Sequence, residues 1–148
     1  MKTGFTVGWR ALAVAALASA AVPAMAAVSM PAERYQGSVG FVSGGVGEGE
    51  ASLFRQQSGR HALEIGLFEH AGNTDEFTAH ATVKISDRRG NTVLDARADG
   101  PFMLVDLPPG RYSVEATLSN DTLRKSAVWI APGRTARETF EFPAHTDG

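Results

Sequence analysis

The 148-residue sequence predicts an all-β protein, a seven-stranded antiparallel β-sandwich carrying a short N-terminal helix. Three observations predict it. After Gly59 the apolar residues recur with a period of two over successive short runs, the spacing of strands with one buried face. Gly, Pro, Asn and Asp cluster between those runs, which is the punctuation of antiparallel strands. The stretch Gly100-Pro-Phe-Met-Leu-Val-Asp-Leu-Pro-Pro-Gly-Arg-Tyr-Ser-Val-Glu-Ala116 then sets two strand-like runs on either side of a Pro-Pro-Gly corner.

The chain opens with Lys2 and Arg10, an apolar run from Ala11 to Val22, and Pro23-Ala-Met-Ala26. This is the pattern of a secretory signal peptide over residues 1–26, cut after Ala26. Its apolar run is shorter than the ~20 residues a bilayer demands, so no membrane span is expected after cleavage. Cysteine is absent. The acylated-cysteine route to a lipid anchor is therefore closed, and a domain in an oxidising compartment must hold without disulfides. The expected location is periplasmic or secreted. Cleavage removes two of the 14 basic residues and none of the 16 acidic ones, leaving 12 against 16 and a net charge of −4. That balance gives no electrostatic reason to bind nucleic acid or anionic lipid, and no strongly basic tail or patch is read along the chain. The roughly 120 remaining residues suffice for one hydrophobic core.

Residues 27–58 read as an extended, mobile lead-in to Gln36, a Gly-rich loop and a short helix. Six of the fourteen residues from Gly37 to Glu50 are Gly, a density that argues for a loop anchored by Val39, Phe41 and Val42. Helix formers then run from Glu48 to Gln57, with Leu53 and Phe54 placed to cover one end of a core. Residues 59–143 carry the sandwich. Leu63, Ile65 and Leu67 alternate with Ala62, Glu64 and Gly66. A loop at Ala71–Glu76 precedes a long run in which Phe77, Ala79, Ala81, Val83 and Ile85 face one way. Asp87-Arg-Arg-Gly-Asn91 is a turn with Gly90 available for a positive φ. Strands follow at Thr92–Ala98, Phe102–Leu107, Tyr112–Leu118, Thr122–Ile130 and Thr135–Phe142, separated by Asp99-Gly-Pro101, Pro108-Pro-Gly110, Ser119-Asn-Asp121 and Pro132-Gly133. Residues 144–148 read as a disordered tail.

From about Ala79 to Phe142 the chain resembles the carboxypeptidase regulatory-like domain, a transthyretin-like (prealbumin-like) member of the immunoglobulin-like sandwiches. The match rests on the strand ending in Asp87-Arg-Arg-Gly90, on Leu107-Pro-Pro-Gly-Arg-Tyr112 with its flanking strands, and on Val128-Trp-Ile-Ala-Pro-Gly133 with the closing strand. It covers about half of the sequence. Ala98-Asp-Gly-Pro101 departs from the Thr-Asp pair often found before the glycine at that turn, and Gly37–Gln57 lies outside the family pattern. With that extension the chain looks like the small single-domain secreted proteins of proteobacteria that carry this fold alone. The resemblance implies a non-catalytic accessory role, and the wider fold group includes carbohydrate-binding modules.

Chemistry along the chain is sparse. Ser43 lies in Phe41-Val-Ser-Gly-Gly45, which lacks the Gly two residues before Ser that a nucleophile elbow requires. His70, Asp75, Glu76 and His80 are close in sequence without a metal-ligand spacing, and His61 and His145 read as loop or terminal residues without a task. No catalytic residue, metal or cofactor is expected. The loop formed by Gly44, Gly45, Gly47, Glu48 and Glu50 lacks the Lys-Ser/Thr of a phosphate loop and the ligand spacing of a calcium loop. Its acids suit the start of the following helix, where they complement the helix dipole. Tyr112 reads as a core or corner tyrosine, whereas Phe68 and Trp129 are candidates for exposure on a flat sheet face. The expected function is a non-catalytic binding or accessory module whose working surface is that glycine loop with the sheet face near Phe68, its partner an envelope protein. The alternative is a carbohydrate-binding module that stacks glycan on Phe68 and Trp129.

Overall fold

The computed structural model describes residues 4, 13, 15–23, 27–71, 74–77 and 80–144, those at 71 and 74–77 as backbone only. The leader's charged start, its expected cleavage site at Ala24–Ala26 and His145 with the rest of the tail lie outside the described residues. Among the described residues no helix is long and apolar enough to cross a membrane. Among the described residues, ten strands rather than seven make two packed sheets: β1 Arg34–Gln36, β2 Val39–Gly44, β3 Leu63–Ala71, β4 Thr74–Phe77, β5 Thr82–Asp87, β6 Thr92–Arg97, β7 Phe102–Val105, β8 Gly110–Leu118, β9 Asp121–Ile130 and β10 Ala136–Phe142. The larger sheet runs β1-β2-β7-β3-β10, with β4 also on β3, and the smaller runs β6-β5-β8-β9. Helix α1 spans Glu48–Gln57 and continues into a single 3-10 turn at Ser58–Arg60.

The period-two residues form the core between the sheets. Leu63, Ile65 and Leu67 of β3, Met103 and Val105 of β7, and Phe140 and Phe142 of β10 meet Val83, Ile85, Leu94, Val114, Ala116, Val128 and Ile130 from the smaller sheet. A second cluster lies on the opposite face of the larger sheet, where Val42, Phe102 and Leu104 pack under Ala51 and Phe54 of α1. Ala51 and Phe54 stand three residues apart, on one helix face. The larger sheet is thus covered on both sides, and β2 and β7 are buried at every position. Strands covered on both faces lose their alternation, as in other doubly covered sheets.

Several expectations are corrected by this arrangement. Gly37–Gly44 of the glycine-dense segment complete a β1–β2 hairpin instead of a loop, only residues 45–47 remain irregular before α1, and the lead-in becomes strand from Arg34. Gly37, with φ +56, makes the hairpin turn, and glycines on the outer face of β2 leave room for helix and side chains above. Gly44 shows this directly, because a Cβ there would strike the Glu50 carboxylate and the Phe54 ring. The long run from Phe77 to Ile85 is divided between β4, which ends at Phe77, and β5, which begins at Thr82; residues 78 and 79, Ala79 among them, lie outside the described residues, and His80 takes φ +82 and is exposed outside both strands. The sandwich is not purely antiparallel, since β10 pairs with β3 in parallel from Ala136↔Leu63 to Phe142↔Glu69.

The corner between the sheets is fixed as its sequence suggests. β7 leaves the larger sheet, Pro108 and Pro109 redirect the chain, and β8 enters the smaller sheet. Tyr112 is buried and its hydroxyl donates to the Pro108 carbonyl at 2.7 Å, a corner tyrosine. Both lateral openings of the sandwich are closed by side chains. The Gln36 amide donates to the Asp95 carbonyl at 2.6 Å and accepts the Asp95 N–H at 2.7 Å, imitating a strand along β6. On the other side Lys125 points inward from β9, meets Glu138 of β10 at 3.1 Å and lies over the Phe140 ring. Inward charges and capped edges discourage pairing with another chain.

Candidate binding surface

The glycine loop at the start of α1 buries Gly44 and Gly45 and exposes Val46 and Gly47, and it borders a cavity of about 560 Å3 with Glu48, Ala51, Ser52 and Arg55. Gly45 and Gly47 have φ of +95 and +84, conformations open to glycine at little cost. A Cβ on Gly45 would also press on the Phe102 ring. Glu50, in the first helical turn, reaches back and accepts the buried Gly45 N–H at 2.7 Å. This satisfies an amide that would otherwise be orphaned, and it places a negative charge where the helix dipole favours one. Glu48 is exposed at the first helical position and makes no such bond. Gly44, Gly45, Gly47 and Glu50 therefore form the joint between β2 and α1, with Gly47 and Glu48 of that set exposed.

Phe68 also departs from expectation. It is half-buried at the rim of the helix-covered cluster, with its ring 6.4 Å edge-on from Phe102 and lying over Gly66. Glycine at 66 supplies the space that the ring fills. Ser43 is buried and fully engaged, its hydroxyl donating to the Phe102 carbonyl at 3.2 Å and accepting the Asp99 N–H at 2.9 Å. Through that pair Ser43 holds the β6–β7 turn, where Gly100 packs directly on the backbone of Gly44. His61 has a partner, Asp106, with Nδ1 3.1 Å from the carboxylate. Among the described residues no group of three His, Asp or Glu gathers as metal ligands. His70 and Asp75 face each other across the β3–β4 pairing, and the side chains of Asp75 and Glu76 lie outside the described set.

Trp129 is where the sheet-face reading holds. It is 67% exposed while its neighbours Val128 and Ile130 are buried. The register explains how. Tyr112 pairs with Val128 but Val114 with Lys125, so Ser126 and Ala127 together oppose Ser113 in a β-bulge. Without the extra residue, Trp129 would share the inward phase of Leu123 and Lys125. With it, Val128 and Ile130 turn in and Trp129 turns out, opposite Arg111, whose guanidinium stands 5.9 Å from the ring centroid.

The outer face of the smaller sheet, which no helix among the described residues covers, is ordered in rows across its strands. Arg97, Thr82, Thr117 and Thr122 form one, with Thr117 and Thr122 hydroxyls 2.9 Å apart. Asp95, Lys84, Glu115 and Arg124 form the next, alternating in charge, with Arg124 bonded to Glu115 at 3.2 Å. Thr92, Ser86, Ser113 and the bulge follow. Arg111 and Trp129 close the series. The short serines between rows of long side chains leave a groove of about 530 Å3, bordered also by Arg88, Gly90 and Asp87 of the β5–β6 turn. Asp87 is occupied by its own turn, accepting N–H groups from Arg89 at 2.9 Å and Asn91 at 3.0 Å. The Asn91 amide chiefly holds its pKa below the ordinary 3.8. The fold thus gathers Lys84, Arg88, Arg111 and Arg124 around one groove, a cationic patch that the linear sequence does not display. In comparisons with known proteins, no family model, curated protein or solved structure matches this chain.

Proposed function

We propose that this protein is a non-catalytic binding module of the cell envelope, periplasmic or secreted, built on a carboxypeptidase regulatory-like sandwich of the prealbumin-like type. Its recognition surface is the outer face of the smaller sheet. One observation carries this reading: a bulge turns Trp129 out of a strand that otherwise buries its large apolar residues, leaving it 67% exposed. An indole held in water beside an arginine suits contact with something outside the chain. The hydrogen bonds that occupy Ser43 support a module without catalysis, and the commitment of Glu50 to the Gly45 N–H favours the outer sheet face over the glycine loop as the working surface. The Leu107–Tyr112 corner supports the fold type, and the leader supports the address. Carbohydrate is the second reading, favoured by the hydroxyl-bearing face around Trp129 and no longer by Phe68.

The test uses the full chain with Trp9→Phe, which makes Trp129 the sole tryptophan. Its emission is expected to resemble that of tryptophan in water and to be quenched by acrylamide. A photo-crosslinking residue at position 129 is expected to capture envelope material that the same residue at position 48 does not. Blue-shifted, unquenched emission, or capture from position 48 alone, would overturn the assignment of the face.

A further inference from the structure

Resting on that reading of the outer face, we infer that the serine-floored groove binds an acidic polysaccharide, a chain of sugars bearing carboxylates. The floor, Ser86, Ser113 and Ser126, consists of hydroxyls, each able to donate and accept, as the hydroxyls of a sugar do. The groove's volume of about 530 Å3 falls within the roughly 300–1,000 Å3 typical of small-ligand sites, and it lies open on a sheet face across β5, β8 and β9. At one end the exposed Trp129 ring offers an apolar face against which a pyranose can stack. Arg111, which lines the groove and stands over that ring, joins the two parts.

Charge selects the class of glycan. Four cations, Lys84, Arg88, Arg111 and Arg124, border the groove against two acids, Glu115 and Asp87. Both acids are already committed, Glu115 to Arg124 and Asp87 to the amides of its turn. Lys84, Arg88 and Arg111 remain for a ligand, and a planar carboxylate fits an arginine fork through two parallel hydrogen bonds. The surplus is modest, on a chain whose overall charge is negative. That suits about one carboxylate per sugar better than the dense phosphates of a nucleic acid, which the rest of the molecule repels. An extended peptide fits less well. It would pair with a sheet edge, and here Gln36 and Lys125 occupy the lateral openings.

The probe is a trimer of galacturonic acid, with its fully methyl-esterified form as the neutral control, titrated against the full chain carrying Trp9→Phe while Trp129 emission and calorimetric heat are followed. The acid trimer is expected to bind and to weaken as salt rises, as exposed charge pairs do. The ester is expected to bind at least about tenfold more weakly, the loss of one charge-assisted contact. Arg111→Ala, Lys84→Ala and Trp129→Ala should each cost about tenfold, and Arg55→Ala, on helix α1 beyond the larger sheet, should cost nothing. All these side chains are exposed, and unchanged melting curves separate lost binding from lost fold. Equal binding of acid and ester would overturn the acidic class while leaving the face as a glycan site. Equal or tighter binding of dextran sulfate, which bears no carboxylate, or of an oligonucleotide would mark an unselective anion patch and refute the inference. No binding by any of them, with a protein crosslinked from position 129, would refute the glycan but keep the face. No binding and no crosslink would remove both.

Discussion

Replacing Glu50 by Ala separates a structural joint from a ligand loop. The Glu50 carboxylate accepts the Gly45 N–H at 2.7 Å, and Gly45 is buried, so in the alanine variant water does not readily replace the lost acceptor. A hydrogen bond to a charged group is worth about 1.5–3 kcal/mol, and a first-turn acid adds roughly 0.5 kcal/mol through the helix dipole. The expected loss is about 2.5 kcal/mol, near 10 °C in melting temperature for a domain of this size. Glu48→Ala loses only the dipole contribution, about 0.5 kcal/mol. Glu50→Gln keeps an acceptor without its charge and should fall between, at about 1 kcal/mol. Urea denaturation of the three variants, with unchanged slopes to confirm a common folded state, measures each difference. Equal costs for Glu48→Ala and Glu50→Ala would show that the carboxylate does not hold the joint, and the two acids would again be equivalent candidates for an outside ligand.

Two further outcomes follow from the corner and the β5–β6 turn. Tyr112→Phe removes the bond to the Pro108 carbonyl and should cost about 1 kcal/mol, limited because Pro108 is exposed and its carbonyl can be rehydrated. Burial, and then the charge of Asp87, raise the Tyr112 pKa above 10, so folding favours the neutral phenol. That contribution is complete below pH 10 and is lost as pH rises through the folded value. The wild type should therefore lose stability relative to Tyr112→Phe in alkaline denaturation series, with Tyr35 titrating in both; parallel curves would contradict the burial argument. Asp87 has the opposite sign. Its pKa is depressed below 3.8 by the Asn91 and Arg89 amides, so its contribution is present above that value and disappears as pH falls through the lower, folded one. Asp87→Asn should be less stable than wild type by a constant margin at neutral pH, and the margin should shrink under acid. A margin that persists at the lowest pH would mean that the turn depends on shape and not on charge.

Where information is local, the sequence was readable. Helix α1 begins and ends at Glu48 and Gln57 as its residue types suggest. The β5–β6 turn places Gly90 at φ +84, and the Tyr112 hydroxyl finds the corner. Each depends on contacts within a few residues. The misreadings have one physical root. Gly37–Gly44 looked like a loop because glycine costs a strand entropy, but helix α1 packs on this strand and glycine leaves it room. Phe68 looked exposed because its own face carries Glu64 and Gly66, whereas Phe102, remote in sequence, meets its edge.

The sequence by itself determined the alternation that builds the core, the turns, the corner and the absence of disulfides, because side-chain direction and backbone torsion are fixed over two to four residues. Only the tertiary structure decided which surface is available. One extra residue at Ser126–Ala127 reverses the phase of β9 and sends Trp129 outward, and a bulge is visible only against the partner strand. Four cations drawn from β5, its following turn, β8 and β9 become neighbours only when those segments are in register. Their field adds through space and not along the chain, so a sequence with net charge −2 carries a cationic groove.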